Sequence, residues 1–134
     1  MATPNILSDL SSVIIKPSYS YGQITSATAY GTDLLGISYF VPTNKVVRIV
    51  NLTISVGDAD SLTDDGIKFD IAVYDGGSKI ADLFTDYLIS THNTVCLLDE
   101  ATPLILEEGY TLRAACSNGT LNNFYLAYET IENA

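Results

Sequence analysis

The sequence predicts an all-β protein, an antiparallel two-sheet β-sandwich of jelly-roll type with an extended N-terminal segment. Apolar and polar residues alternate over short segments, and breaks rich in Gly, Asp and Asn separate these segments. No window of helical length has a clear apolar stripe at a spacing of 3.6 residues. Alternation with a period of two places one side of a strand against a core and the other in water. Short strands with frequent turns are typical of sandwiches.

The segment from Val46 to Val56 contains the clearest predicted strand. Its even-numbered positions are apolar except Arg48, and its odd-numbered positions are polar from Asn51 onward. We therefore predict that the even positions face the core and that Arg48 extends its charge to the rim of the sheet. The same alternation recurs over Ile67–Val73, and the Asp-Gly-Gly run at 75–77 is typical of a tight turn.

Weaker alternation predicts the remaining strands. The segment "DLFTDYLI" is compatible with either strand or helix. The further strands are predicted at Ser12–Lys16, Asp33–Val41, Lys79–Phe84, Thr94–Leu98, Pro103–Leu106, Tyr110–Ser117 and Asn123–Ile131.

The chain of 134 residues has the size of one domain, which we divide into an N-terminal arm or first strand (1–32) and a sandwich domain (33–134). The arm is rich in Ser, Thr and Tyr, and Pro17 restricts it to an edge or extended role. It is either the opening strand and loop of the same sandwich or an extension that pairs with a neighbouring subunit. The candidate interface residues are Ile14, Ile15, Tyr19, Tyr21 and Tyr30.

The composition is apolar and acidic. Hydrophobic residues make up 47% of the chain and charged residues 16%, where about a quarter is usual. Either the core is generous or partner subunits cover apolar surface. A net charge of −10 without a basic cluster argues against binding nucleic acid or an anionic membrane. We also find no apolar run near the ~20 residues of a membrane span and no secretory signal pattern.

Few residues have catalytic potential. His92 is the single histidine and lies in a polar turn without a nucleophile motif or metal-ligand partner nearby in sequence. Nucleotide-binding glycine motifs are absent from the sequence. We therefore predict no catalytic residue, no cofactor and no enzymatic activity. Cys96 and Cys116 are predicted to be buried free thiols on strands, with a disulfide between them as the alternative.

The acidic loop "DADSLTDDG" is the best metal candidate. Asp58, Asp60, Asp64 and Asp65 offer the hard oxygen ligands that Ca²⁺ prefers. The EF-hand pattern fails, because Leu62 occupies its fifth position and no glutamate occupies its twelfth. We interpret the segment as a solvated loop, with calcium as the weaker alternative.

Two segments resemble a protein family. "YFVPTNKVVRIVNLTISV" (Tyr39–Val56) resembles the "VP-x-x-K-x-x-x-I-x-x-L-x-I" opening of small β-sandwich proteins of tailed-phage virions. The segment Pro103–Glu132 resembles their closing pattern, in which an "L-x-x-G-x-x-L-x-A" strand precedes a short loop and a last strand. The "EEGY" turn departs from the family, which more often has a single acidic or Ala residue and Gly-Asp there.

The resemblance implies a structural virion protein, most closely a capsid decoration or cement protein. Such proteins are commonly homotrimers, and their partners are the major capsid protein or other virion proteins. The expected location is the virion, assembled in the host cytoplasm. The alternative is a carbohydrate- or receptor-binding module of a phage tail or fibre, favoured by the nine tyrosines and the acidic loop.

Overall fold

A computed structural model describes residues 13–25, 31–36, 38–57, 66–119 and 121–133. These residues form strands, turns and loops without a helix, so none of them belongs to a helix that could cross a bilayer. The strands are β1 (Val13–Gly22), β2 (Thr32–Asp33), β3 (Lys45–Val56), β4 (Gly66–Asp75), β5 (Ser78–Ser90), β6 (Thr94–Leu98), β7 (Leu104–Leu106), β8 (Tyr110–Cys116) and β9 (Asn122–Asn133).

The strands form two antiparallel sheets that pack face to face. Sheet A has the order β1-β9-β3-β6, with β7 also paired to β3, and sheet B has the order β2-β8-β4-β5. The first strands of the chain pair with the last ones (β1 with β9, β2 with β8). The other pairs lie between them in sequence, and β4 with β5 is the innermost. This nesting is the jelly-roll arrangement, so the predicted fold class is confirmed.

The core lies between the sheets and is built from alternate residues of both. Each large apolar side chain that is fully buried there stabilises the fold by roughly 1.5–3 kcal/mol relative to its exposed state. The largest fully buried side chains are Phe69, Ile24, Leu34, Ile49, Leu52, Ile54, Ile67, Ile71, Ile89, Leu106, Leu112 and Leu126.

The alternation in β3 changes phase in the middle of the strand. Ile49 lies opposite Tyr128 and Asn51 lies opposite Ala127, so Val50 is the extra residue of a β-bulge. Val47 and Ile49 face the core before the bulge, and the even positions from Leu52 face it afterwards. The predicted core side is therefore correct after the bulge and wrong before it.

The bulge changes the position of Arg48. The prediction placed this residue on the core side, but it lies on the outer face of sheet A opposite Glu129. Its Nε donates a hydrogen bond to Glu129 Oε1 at 2.9 Å. The β-bulge at Val50 shifts the alternation by one residue. Both halves of the strand therefore bury apolar residues, and the guanidinium of Arg48 stays at the surface.

The predicted strand over Asp33–Val41 is wrong beyond its first residue. Strand β2 covers only Thr32–Asp33, and the chain then turns at Gly36, whose φ is +131°. The main-chain N–H of Leu34 donates to the carbonyl of Leu112 at 2.9 Å, which ties the loop to β8. The apolar residues of this buried loop resemble a strand in sequence, because burial alone selects them.

The remaining predicted strands are present, with shifted ends except at Thr94–Leu98. Strand β5 continues to Ser90, so the ambiguous segment "DLFTDYLI" is strand. Strand β1 pairs with β9 of its own chain from Val13 opposite Asn133 to Gly22 opposite Phe124, as expected for an opening strand of the same sandwich. The division of the chain at residue 32 stays a prediction.

Candidate functional site

Three exposed tyrosines form the tyrosine cluster (Tyr19, Tyr21 and Tyr125) on the outer face of sheet A. Tyr21 lies directly opposite Tyr125, and Tyr19 follows on the same side of β1 two residues away. Their exposed fractions are 63%, 72% and 47%. The ring centroid of Tyr19 lies 6.2 Å from that of Tyr21 and 6.1 Å from that of Tyr125, with ring planes 15° and 16° apart. The cluster therefore presents a broad aromatic surface to solvent.

Amide and hydroxyl groups lie beside the tyrosine cluster. Asn51 Nδ2 donates to Cys96 Sγ at 3.2 Å, and Thr53 Oγ1 donates to Asn51 Oδ1 at 2.7 Å. These mutual hydrogen bonds fix the amide and hydroxyl groups beside the rings. The outward-facing neighbours on β9, β3 and β6 are Ala127, Asn123, Asn51, Thr53, Ser55, Thr94 and Cys96. The Arg48–Glu129 ion pair lies next to Ala127 on the same outer face, so a partner that covers the whole face also covers this pair.

Ion pairs lie at the other end of the same sheet. The Nζ atoms of Lys16 and Lys45 each lie 3.4 Å from a carboxylate oxygen of Glu132. These two ion pairs link β1, β9 and β3. Desolvation alone would raise the pKa of the Glu132 carboxyl, but the hydrogen bonds and charges of Lys45 and Lys16 together outweigh it. The pKa is therefore lowered below its ordinary value of 4.5.

A shallow cleft of about 440 Å³ lies on the outer side of sheet B, lined by Gly31, Asp33, Phe40, Gly76, Gly77 and Arg113. Arg113 Nε donates to Asp33 Oδ1 at 2.7 Å. Its guanidinium carbon also lies 5.1 Å from the ring centroid of Tyr74 and 6.0 Å from that of Phe40. These contacts join the loop after β2 to β8 and β4, so we interpret Arg113 as a structural anchor.

Cys96 and Cys116 are both free thiols in different environments. Cys96 lies on the outer face of β6 and is exposed, so its predicted burial is wrong. Cys116 is buried as predicted, and its Sγ donates to the carbonyls of Ile24 at 3.3 Å and Asn118 at 3.1 Å. Burial raises the pKa of the Cys116 thiol, more than its hydrogen bonds lower it.

A buried amide fixes the segment that follows β1. Asn122 Oδ1 accepts the main-chain N–H of Ile24 at 2.8 Å, and Asn122 Nδ2 donates to the carbonyl of Ile24 at 3.0 Å. The side chain is completely buried, so these bonds satisfy groups that water cannot reach. Sequence reasoning missed this contact, because the partners lie 98 residues apart and no periodic signal connects them.

The other candidate residues supply no further site. His92 is exposed in the turn between β5 and β6, at a φ of 62°. Among the described residues, no group of three or more His, Cys, Asp or Glu side chains could bind a metal ion. The calcium candidates Asp58, Asp60, Asp64 and Asp65 lie outside the described residues.

Four of the five candidate interface residues lie in β1. Ile14, Ile15, Tyr19 and Tyr21 are all exposed, and Ile14 points to the opposite side of the sheet from the other three. Tyr30 lies outside the described residues. Sequence reasoning missed Tyr125, because its position beside Tyr21 depends on the pairing of the first strand with the last.

Comparison with known proteins supports the fold. No protein-family model matches the sequence, and no curated protein matches it. A chain of the solved T13 IBDV viral particle is similar in structure, with a TM-score of 0.53 and 6% sequence identity. The match covers 91% of this chain and 31% of the viral chain, so this chain spans about a third of that chain's length. The protein is thus a jelly-roll β-sandwich with a fold that also occurs in a chain of that particle.

Proposed function

We propose that this protein is a structural component of a virus particle, of the capsid decoration or cement type of tailed phages, without enzymatic activity. The observation that carries the proposal is the open outer face of sheet A, where the tyrosine cluster is exposed beside amide and hydroxyl groups. The likeness to a chain of the T13 IBDV viral particle supports the same role. Large exposed aromatic patches of this kind mark protein interaction sites.

The chemistry of the face suits protein binding. Tyrosine rings offer a large contact area with few rotatable bonds, and each hydroxyl can form a hydrogen bond at the rim of an interface. A molecule that binds only the assembled shell stabilises the shell by mass action and needs no chemical reaction. The expected partners are the major capsid protein or another virion protein, and the expected oligomer is a homotrimer.

The charge of the chain suits a position on a particle that contains nucleic acid. Sixteen acidic residues against six basic ones give a net charge of −10. Phosphates repel such a surface, so the protein would remain on the shell and away from the packaged genome. The location that follows is the virion, assembled in the host cytoplasm.

The test is binding to shells of the phage that encodes the protein. We expect the wild type to co-sediment with these shells and to raise the temperature at which they break. The double variant Tyr21→Ser/Tyr125→Ser should lose both effects. Tyr87→Ser is the matched control, because Tyr87 is an exposed tyrosine on sheet B, and it should bind as the wild type does. A wild type that ignores intact shells and is absent from purified particles would refute the role.

The tyrosine cluster also favours a second candidate, a carbohydrate- or receptor-binding module of a phage tail or fibre. Aromatic ring faces, amides and hydroxyls are groups that bind sugars. The tyrosine cluster has exposed rings and lies beside the Asn51 amide and the Thr53 hydroxyl. A glycan array with the wild type and the double tyrosine variant, each with and without calcium, separates the candidates. A signal that needs the tyrosines supports the module, and silence in all four measurements removes it.

A further inference from the structure

We propose that the outer edge of β1 pairs in antiparallel fashion with β1 of a second copy of this chain, which joins two copies of sheet A into one continuous sheet. The inference goes beyond the proposed function and does not depend on it, and the dimer that it describes takes the place of the homotrimer expected there. It starts from a difference between the edges of the two sheets.

The described strands leave four sheet edges, at β1 and at β6 together with the 3-residue β7 in sheet A, and at β2 and β5 in sheet B. Strand β2 has 2 residues and β6 has 5, which is little for pairing. Strand β5 has 13 residues, but its register with β4 shifts at three places. Bulges of this kind twist an edge and protect it from pairing with another chain.

Strand β1 has no such bulge, although it contains Lys16 and Pro17, which are residue types that hinder pairing at an edge. It has 10 residues, and its register with β9 is unbroken from Val13 to Gly22. No other strand of the described ranges pairs with its second edge. A long regular edge strand presents unpaired main-chain groups that another strand can bind. Among the four edges, β1 is therefore the longest one with a regular register.

The charge distribution permits a second copy as the partner. The strands of sheet A contain three cations (Lys16, Lys45 and Arg48) and two carboxylates (Glu129 and Glu132), which leaves +1 in a chain of −10. Two acidic molecules therefore meet at β1 without bringing their excess negative charge together. Strand β5, by contrast, contains Lys79, Asp82 and Asp86.

The sequence of β1 is also complementary to itself. A twofold axis at Ser18 places Pro17 opposite Tyr19 and Ile15 opposite Tyr21. Aromatic side chains opposite aliphatic ones are favourable cross-strand pairs. Pro17 lacks an N–H, so each copy forms one hydrogen bond fewer than a strand without proline. The pairing also brings the tyrosine clusters of the two copies together on one face.

Cysteine cross-linking tests the proposed register. In a Cys96→Ser background, Ser18→Cys places two thiols at the twofold axis, where the strand spacing is within the ~7 Å between Cα atoms that a disulfide allows. We expect mild oxidation to convert most of the protein to a disulfide-linked dimer. Thr85→Cys on β5, in the same background, is the matched control and should remain largely monomeric on a non-reducing gel. Equal cross-linking of the two variants would overturn the proposal.

Sedimentation equilibrium tests the pairing without a cross-link. Ile15 and Ile80 have similar exposed fractions, 45% and 49%, and lie on the two long edge strands. Ile15→Lys puts a charge into the proposed contact and should weaken dimerisation at least tenfold, whereas Ile80→Lys should leave it unchanged. Far-UV circular dichroism confirms that both variants fold. A monomeric wild type, or a dimer indifferent to Ile15→Lys, would refute the contact.

The outcomes separate this proposal from the proposed function. A trimer whose mass Ile15→Lys does not change agrees with the expected homotrimer and refutes pairing through β1. A dimer that dissociates in Ile15→Lys supports pairing, whether or not either form binds shells.

Discussion

The outer faces of the two sheets differ in what covers them. On sheet B, the chain's own loop after β2 returns over the face: Tyr74 is buried and Arg113 is held between Tyr74 and Phe40. On sheet A, no described segment covers the tyrosine cluster. This chain therefore covers one face with its own residues and leaves the other available to another molecule.

The difference has a chemical counterpart. The covered face contains a charged pair whose partners lie within the molecule, because Arg113 and Asp33 lie 80 residues apart in sequence and meet through β8 and β2. The open face also has a charged pair, Arg48 with Glu129, but the groups around the tyrosine cluster itself are amides and hydroxyls. Substitutions should therefore affect stability on sheet B and binding on sheet A.

The largest contrast is expected between the two thiols. Cys96 on the open face should react with a thiol reagent at the rate of an exposed cysteine. Cys116 should react about 10³-fold more slowly, since an opening of ~4 kcal/mol must precede its reaction. Time courses of labelling for Cys96→Ser and Cys116→Ser measure the two rates separately. Comparable rates in folded protein would contradict the described core.

The next effect concerns the anchor on the covered face. Arg113→Ala leaves the carboxylate of Asp33 without its partner in a mostly buried site, so we expect a loss of about 3 kcal/mol in the free energy of unfolding. Arg48→Ala breaks the corresponding pair with Glu129 on sheet A, where both side chains are more exposed, and should cost about 1 kcal/mol. Urea unfolding measures both. Equal losses would contradict the distinction between the faces.

The ion pairs of Glu132 should make stability depend on pH. The pKa of Glu132 is lower in the folded chain, so its ionised form favours folding. This contribution is complete above the ordinary pKa of 4.5 and is lost as the pH falls below that value through the folded pKa. Glu132→Gln should therefore be less stable than the wild type at pH 7 and equally stable at pH 2. A difference in the urea midpoint that persists at pH 2 would argue against the ion pairs as its cause.

The smallest effect on stability is expected in the tyrosine cluster. Tyr21 is 72% exposed, so Tyr21→Ser should change the free energy of unfolding by no more than about 0.5 kcal/mol. Shell binding should nevertheless fall sharply in the same variant, because the ring belongs to the proposed contact. A large loss of stability would mean that the cluster supports the fold, and would weaken its assignment as an interaction surface.

Much of the candidate site could be predicted from sequence. The sequence indicates Tyr19 and Tyr21 as interface candidates, because their segment is rich in Ser, Thr and Tyr and has few charges, but the predicted strand ends at Lys16, before both residues. Tyr125 could not be assigned in this way, because its place beside Tyr21 depends on the register between strands about a hundred residues apart. The outer face of sheet A therefore emerged from pairing between the two ends of the chain.

The sequence by itself determined the strands, because alternation of polar and apolar residues is a local property with a period of two. It placed Thr94–Leu98 correctly and the body of β3 nearly so. Only the tertiary structure decided the bulge at Val50, the buried loop after Asp33 and the anchor at Arg113. Each of these depends on which distant residues meet, and the local sequence does not contain that information.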